Sequence, residues 1–125
     1  MKTGMTDVLV TQTSALALAV RERFGPNCPC CGYPMRVPKG KREKQRYNGR
    51  DRQTIAHDWP PSNGGSFKVW VYACHGCNND QGDMTFWLWA RRLLRQGDPR
   101  ARRVFALADF IRDYRKNRRE AQGNE

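Results

Sequence analysis

The chain has 125 residues, a formal net charge of +11 and 38% hydrophobic residues. That length allows one domain, residues 1–125, whose modest core would need a metal or another staple. No stretch approaches the roughly 18 apolar residues of a membrane span, which argues against a membrane protein. The positive excess predicts attraction to polyanions, nucleic acid first and acidic membrane surfaces second.

The first predicted element is a helix over about 6–24. Val8, Leu9, Leu16, Ala19 and Val20 fall on one face, and "FGPN" ends it. Its "SALALAV" segment runs into Arg21, Glu22 and Arg23, so it reads as a helix face and not a secretory signal core. The expected location is therefore cytoplasmic, where thiols stay reduced and cysteines bind metal more often than each other. A polar, basic stretch, "RVPKGKREKQRYNGRDRQ", follows as a loop or an exposed hairpin. "QTIAH" is a short strand, "DWPPSNGGS" a loop with two prolines and two glycines, and "FKVWVYAC" the clearest strand. From Gly76 the pattern turns helical and breaks at Gly82. The next helix, "MTFWLWARRLLRQG", has Asp83 or Thr85 as its cap and Gly97 as its end. Asp98 and Pro99 open a last basic helix over about 99–119. Its stripe is Val104, Leu107, Ala108, Ile111 and Tyr114, and it is the surface expected to meet any protein partner. The tail "AQGNE" is expected to be disordered. There is no internal repeat and no sign of a second domain.

Five cysteines punctuate this order. Cys28 and Cys31 form one C-x-x-C, and Cys74 and Cys77 a second. Two such knuckles can present four thiolates tetrahedrally to one structural zinc. A redox C-x-x-C is the competing reading, but it does not explain two pairs. Cys30 is a bystander by spacing. His75 could replace a thiolate, although with four cysteines available it reads as a solvent-facing loop residue.

The ordered set Cys28, Cys31, Gly32, then His57, Pro60, Ser62, Gly64, Gly65, then Cys74, Cys77, Asn78, Gly82 resembles the HNH endonucleases, in their zinc-knuckle branch. The resemblance covers residues 28 to about 89. It implies an α+β fold: a ββα-metal (His-Me finger) core over about 28–90, clamped by zinc and flanked by the N- and C-terminal helices. It also implies Mg²⁺- or Mn²⁺-dependent hydrolysis of DNA phosphodiester bonds. His57 would be the general base, and Asn78 would either ligate the catalytic ion or orient His57. Small basic chains of this kind occur in phages and mobile elements, an association at the level of the family.

Three positions depart from the family pattern. Ala56 stands where an Asp, Glu or His ligand usually precedes the base. Gln81 replaces a common Lys, and Phe86 and Trp87 occupy the place of the last HNH ligand. Asn79, Asp80, Asp83 and Asp58 are the nearby oxygens that could stand in. Ala56 has two readings. Related non-specific nucleases carry Gly before the His and hold their ion with one Asn and water, which Mg²⁺ tolerates. Alternatively the ion is lost, and the chain is a zinc protein that binds nucleic acid or inhibits a nucleic-acid enzyme. On the first reading Ala56→Asp is expected to fit without repacking and to improve metal use.

Lys39, Lys41, Arg42, Lys44 and Arg46 form one basic cluster. Arg91, Arg92 and Arg95, continuing to Arg100, Arg102 and Arg103, form another, and Arg112 to Arg119 a third. Together they argue for phosphate contacts, to DNA first and RNA second, and not for sequence reading. Trp59, Trp70, Trp87 and Trp89 read as core or rim packing, with base stacking as the alternative.

Overall fold

The computed structural model describes residues 15–37, 49–58 and 69–123. Lys39, Lys41, Arg42, Lys44, Arg46 and the loop over 59–68 lie outside them, as does the start of the expected first helix. Among the described residues four helices surround a two-stranded antiparallel sheet, an α+β arrangement.

Helix α1 (Ala15–Phe24) buries Leu16, Ala17 and Val20, spaced to share one face. Gly25, at φ 91°, ends it and returns its N–H to the Arg21 carbonyl. The helix lies against the sheet and the last helix. The Arg21 guanidinium sits 5.1 Å from the Tyr72 ring centre, and Phe24 meets Phe110 edge to face at 5.6 Å.

Strands β1 (Gln53–His57) and β2 (Trp70–Cys74) pair from Gln53↔Cys74 to His57↔Trp70. Side chains alternate across a strand, so Thr54 and Ala56 share one face and Gln53, Ile55 and His57 the other. Ala56, Val71 and Ala73 are fully buried, whereas Ile55 is 47% exposed. The β1 bounds match the predicted strand residue for residue.

Helix α2 (His75–Gln81) follows β2 with no linker. Extended Cys74 is its N-cap, its sulfur accepting the Cys77 N–H, and Gly82 at φ 58° stops it. His75 is thus the first helical residue and not a loop residue. It is half-buried, and Arg52 approaches its Nδ1 at 3.4 Å. That donor makes Nδ1 an acceptor, and His75 is not among the residues whose ligand atoms cluster, the role the sequence had left open.

Helix α3 (Phe86–Arg95) is capped by Thr85, whose hydroxyl accepts from Leu88 N–H at 3.2 Å. It buries Phe86, Trp89, Ala90 and Leu93 against Val104, Leu107, Ala108 and Ile111 of α4 (Ala101–Gly123). Full burial of a side chain such as Phe86 contributes roughly 1.5–3 kcal/mol. Helix α4 runs through Ala121 and Gln122 to Gly123, beyond the expected end at 119 and into the tail expected to be disordered. The segment Arg-Arg-Glu-Ala-Gln is rich in helix formers and meets no breaker before Gly123.

Candidate metal centre and the strand end at His57

The metal ligands come from two backbone turns. In the first, Gly32 at φ 81° lets its N–H reach the Cys28 carbonyl at 2.8 Å, which turns Cys31 back toward Cys28. In the second, the start of α2 curls Cys77 over Cys74. The sulfurs of Cys28, Cys31, Cys74 and Cys77 all lie within 4.8 Å of one another, and Cys31 to Cys74 is 3.8 Å. A tetrahedron with Zn–S near about 2.3 Å needs sulfur separations near about 3.8 Å, so the cluster fits such an ion. Backbone N–H groups of Cys74 and Cys77 point at the sulfurs of Cys28 and Cys74, both at 3.4 Å. Hydrogen bonds from Cys30, Cys74 and Cys77 pull the Cys28 thiol far below its ordinary range, while Cys74 and Cys77 beside it are pushed up. The crowded sulfurs of Cys28, Cys74 and Cys77 thus resist ionising together, and a bound divalent cation would offset that.

Cys30 is not a ligand, but it is no bystander. It is fully buried, and its hydrogen bond to Cys28, with burial behind it, holds it as a neutral thiol. Arg100 also faces the centre. Its Nη1 lies 3.6 Å from Cys77 Sγ, its Nη2 bonds Asp98 at 2.8 Å and Asp80 at 3.0 Å, and its guanidinium covers the Trp89 ring.

The other functional candidates meet where α2 crosses β1. Asn78 donates its amide hydrogens to Thr54 Oγ1 at 3.2 Å and to the Ile55 carbonyl at 3.1 Å. Gln81, one turn on and 1% exposed, donates to the His57 carbonyl at 2.7 Å and the Met84 carbonyl at 2.8 Å. The residue that holds the His57 backbone is therefore Gln81, while Asn78 holds the strand two or three residues earlier. A buried glutamine three residues before Met84 carried no sequence signal for this role. His57 is half-buried, and burial lowers its pKa below the ordinary 6.5, which favours the neutral imidazole.

No family, curated protein or solved structure matches the chain. Its own geometry is what bears on function.

Two of the oxygens proposed to replace a ligand at Ala56, those of Asp58 and Asp80, make contacts of their own. Asp58 Oδ1 accepts from the Phe86 N–H at 3.0 Å and so caps α3 from outside; burial raises its pKa, against the pull of that bond and of Arg115. Asp80 Oδ2 accepts from Trp89 Nε1 at 3.0 Å and from Arg100. Ala56 itself is 0% exposed, opposite Val71 in the core. It is a packing residue, and an Asp there would not fit without repacking, contrary to the sequence expectation. Phe86, where the resemblance to HNH endonucleases would place a last ligand, is also 0% exposed.

Of the basic residues, Arg91, Arg92 and Arg95 lie exposed on α3, away from its buried face. Arg112 and Arg115 line a cavity of about 550 Å³ that also includes Asp58, next to His57 in the chain. Trp89 is core and Trp70 rim, while Trp87 is 45% exposed and edge-on to Phe105 at 5.2 Å. No helix among the described residues is long and apolar enough to cross a membrane.

Proposed function

We propose that the protein is a zinc-clamped, HNH-type endonuclease that binds DNA through its basic surface and hydrolyses phosphodiester bonds with His57 as general base. The observation that carries this reading is the double tether from α2 to β1. The helix that begins between two metal-ligating cysteines also holds the strand ending in His57, through Asn78 and Gln81. Neutral His57 takes a proton from water, the water oxygen bonds to phosphorus, and one P–O ester bond of the backbone breaks. A divalent ion supplies charge stabilisation on the phosphate when bound. Both Asn78 bonds use Nδ2, so Asn78 Oδ1 is the atom with which this chain would hold such an ion. Mg²⁺ accepts so few protein ligands because it keeps much of its hydration.

A second reading, DNA binding without cleavage, is favoured by one observation: Ala56 and Phe86, at the family's ligand positions, are sealed in the core. Incubating supercoiled plasmid with the protein in Mg²⁺ or Mn²⁺ separates the two. The nuclease reading expects nicked or linear products with the wild type and none with His57→Ala, which still shifts DNA on a gel. Equal DNA binding with no cleavage by either protein selects the second reading.

A further inference from the structure

A groove of about 610 Å³ opens over the cysteine cluster, lined by Cys31, Cys74 and Cys77 and by Arg50, Arg100 and Arg103. Its arginines invite assignment to DNA phosphate, but the charges count against it. A zinc ion with four thiolates carries two net negative charges. Asp51 and Asp98 add two more, against three guanidinium groups. An arriving phosphate would meet a wall that is already slightly negative.

The same arithmetic gives the arginines a different task. Each knuckle has a glycine, and each glycine has a guanidinium lying on it. A Cβ at Gly32 would fall 2.6 Å from Arg103 Cζ, and one at Gly76 would fall 2.8 Å from Arg50 Nη2. A side chain at either position would displace the guanidinium that lies on that knuckle. Arg100 completes the set with its contact to Cys77. Among the described residues neither Arg50 nor Arg103 is ion-paired with a carboxylate. They make no direct carboxylate pair there, whereas Arg100 is shared with Asp98 and Asp80.

We infer that Arg50, Arg100 and Arg103 form a cationic shell around the metal–tetrathiolate centre, positioned by Gly32 and Gly76, that sets its zinc affinity. This rests on the reading of the four cysteines as a zinc site. Three guanidinium groups lining the groove over the four cysteines would offset the net negative charge of a zinc–tetrathiolate centre and so favour the loaded state. The shell also withdraws these three arginines from the DNA-contacting surface.

Zinc affinity, measured by competition with a chromophoric chelator on the full chain, tests the shell. The paired variant Arg50→Gln/Arg103→Gln is expected to bind zinc about 10–100-fold more weakly, the range for lost outer-shell partners. The control pair Arg112→Gln/Arg118→Gln removes the same charge from α4 and is expected to leave affinity unchanged. Arg50→Lys/Arg103→Lys keeps the charge and should recover most of the loss, which separates lost electrostatics from lost folding. Wild-type affinity in the Gln pair, an equal loss in the control pair, or a Lys pair as defective as the Gln pair overturns the shell. If the wild type takes up no zinc, the four-cysteine reading falls and the shell falls with it.

Discussion

At the scale of single residues, Ala56 and Gln81 carry the strongest expectations. Ala56 faces Val71 with no exposed surface, so Ala56→Asp buries an uncompensated carboxylate. The expected cost is on the order of 3–5 kcal/mol, the range for an unpaired buried charge. Thermal melts of the zinc-loaded protein should show it as a large drop in Tm with no recovery on adding Mg²⁺; an unchanged Tm would mean that Ala56 has access to water. Gln81→Ala removes donors from two carbonyls and opens a void under the end of β1. A loss of about 2–4 kcal/mol is expected from chemical denaturation. On the nuclease reading it also costs activity, because the His57 backbone is freed. The alternation of a strand already put Ala56 on the face opposite His57, so its burial could have been read from "QTIAH". The direction in which Gln81 reaches could not, since it depends on how α2 crosses β1.

At the scale of elements, the two knuckles and the helix that follows are one mechanical unit. Cys74 is at once the last residue of β2, the N-cap of α2 and one of the four cysteines positioned to bind a metal ion. Cys74→Ser should therefore unfold the hairpin–helix junction as well as lose metal. A structural zinc can supply about 10 kcal/mol or more of apparent folding free energy. Metal analysis should find one zinc per wild-type chain, and circular dichroism should show loss of structure when it is stripped. In the same assay Cys30→Ser is expected to cost about 1–3 kcal/mol, because a hydroxyl replaces a fully buried thiol, and not to be silent as its spacing suggested. The ligand set was legible because C-x-x-C spacing is a local property of a turn. Burial of Cys30 was not, since it depends on elements 40 or more residues away packing over it, as Cys77 does.

At the scale of the whole molecule, charge dominates. The net +11 is spread over exposed arginines of α3 and α4 and over the basic stretch near residue 40. If Arg50, Arg100 and Arg103 serve the metal centre as proposed, the proposed DNA contact falls to the remaining arginines and lysines. Neutralising about six phosphates makes affinity fall about 10³-fold or more between 50 and 200 mM salt. Fluorescence anisotropy with unrelated duplexes should show that slope with little dependence on sequence, and a flat response would show that these clusters are not the contact surface. The order of helices and strands was legible because Gly, Pro and the cysteines separate strongly patterned segments. The depth at which Ala56 and Phe86 sit was not, because burial depends on how elements distant in the chain close one common core.

The central claim is that His57 is a neutral base. Burial holds its folded pKa below the ordinary 6.5, so between the two values the unfolded chain binds more protons. Its contribution to stability is therefore present above about 6.5 and lost as pH falls, and the active imidazole survives to lower pH than a free one. The measurement that tests this most directly is the single-turnover rate of plasmid cleavage in Mn²⁺ or Mg²⁺ as a function of pH, on metal-loaded wild type and His57→Ala. The account predicts a wild-type rate that rises with pH and levels off after a midpoint below 6.5, and no cleavage by His57→Ala at any pH. A wild type that binds the plasmid but never cuts it, or a His57→Ala variant that cuts with the same pH profile, would contradict it.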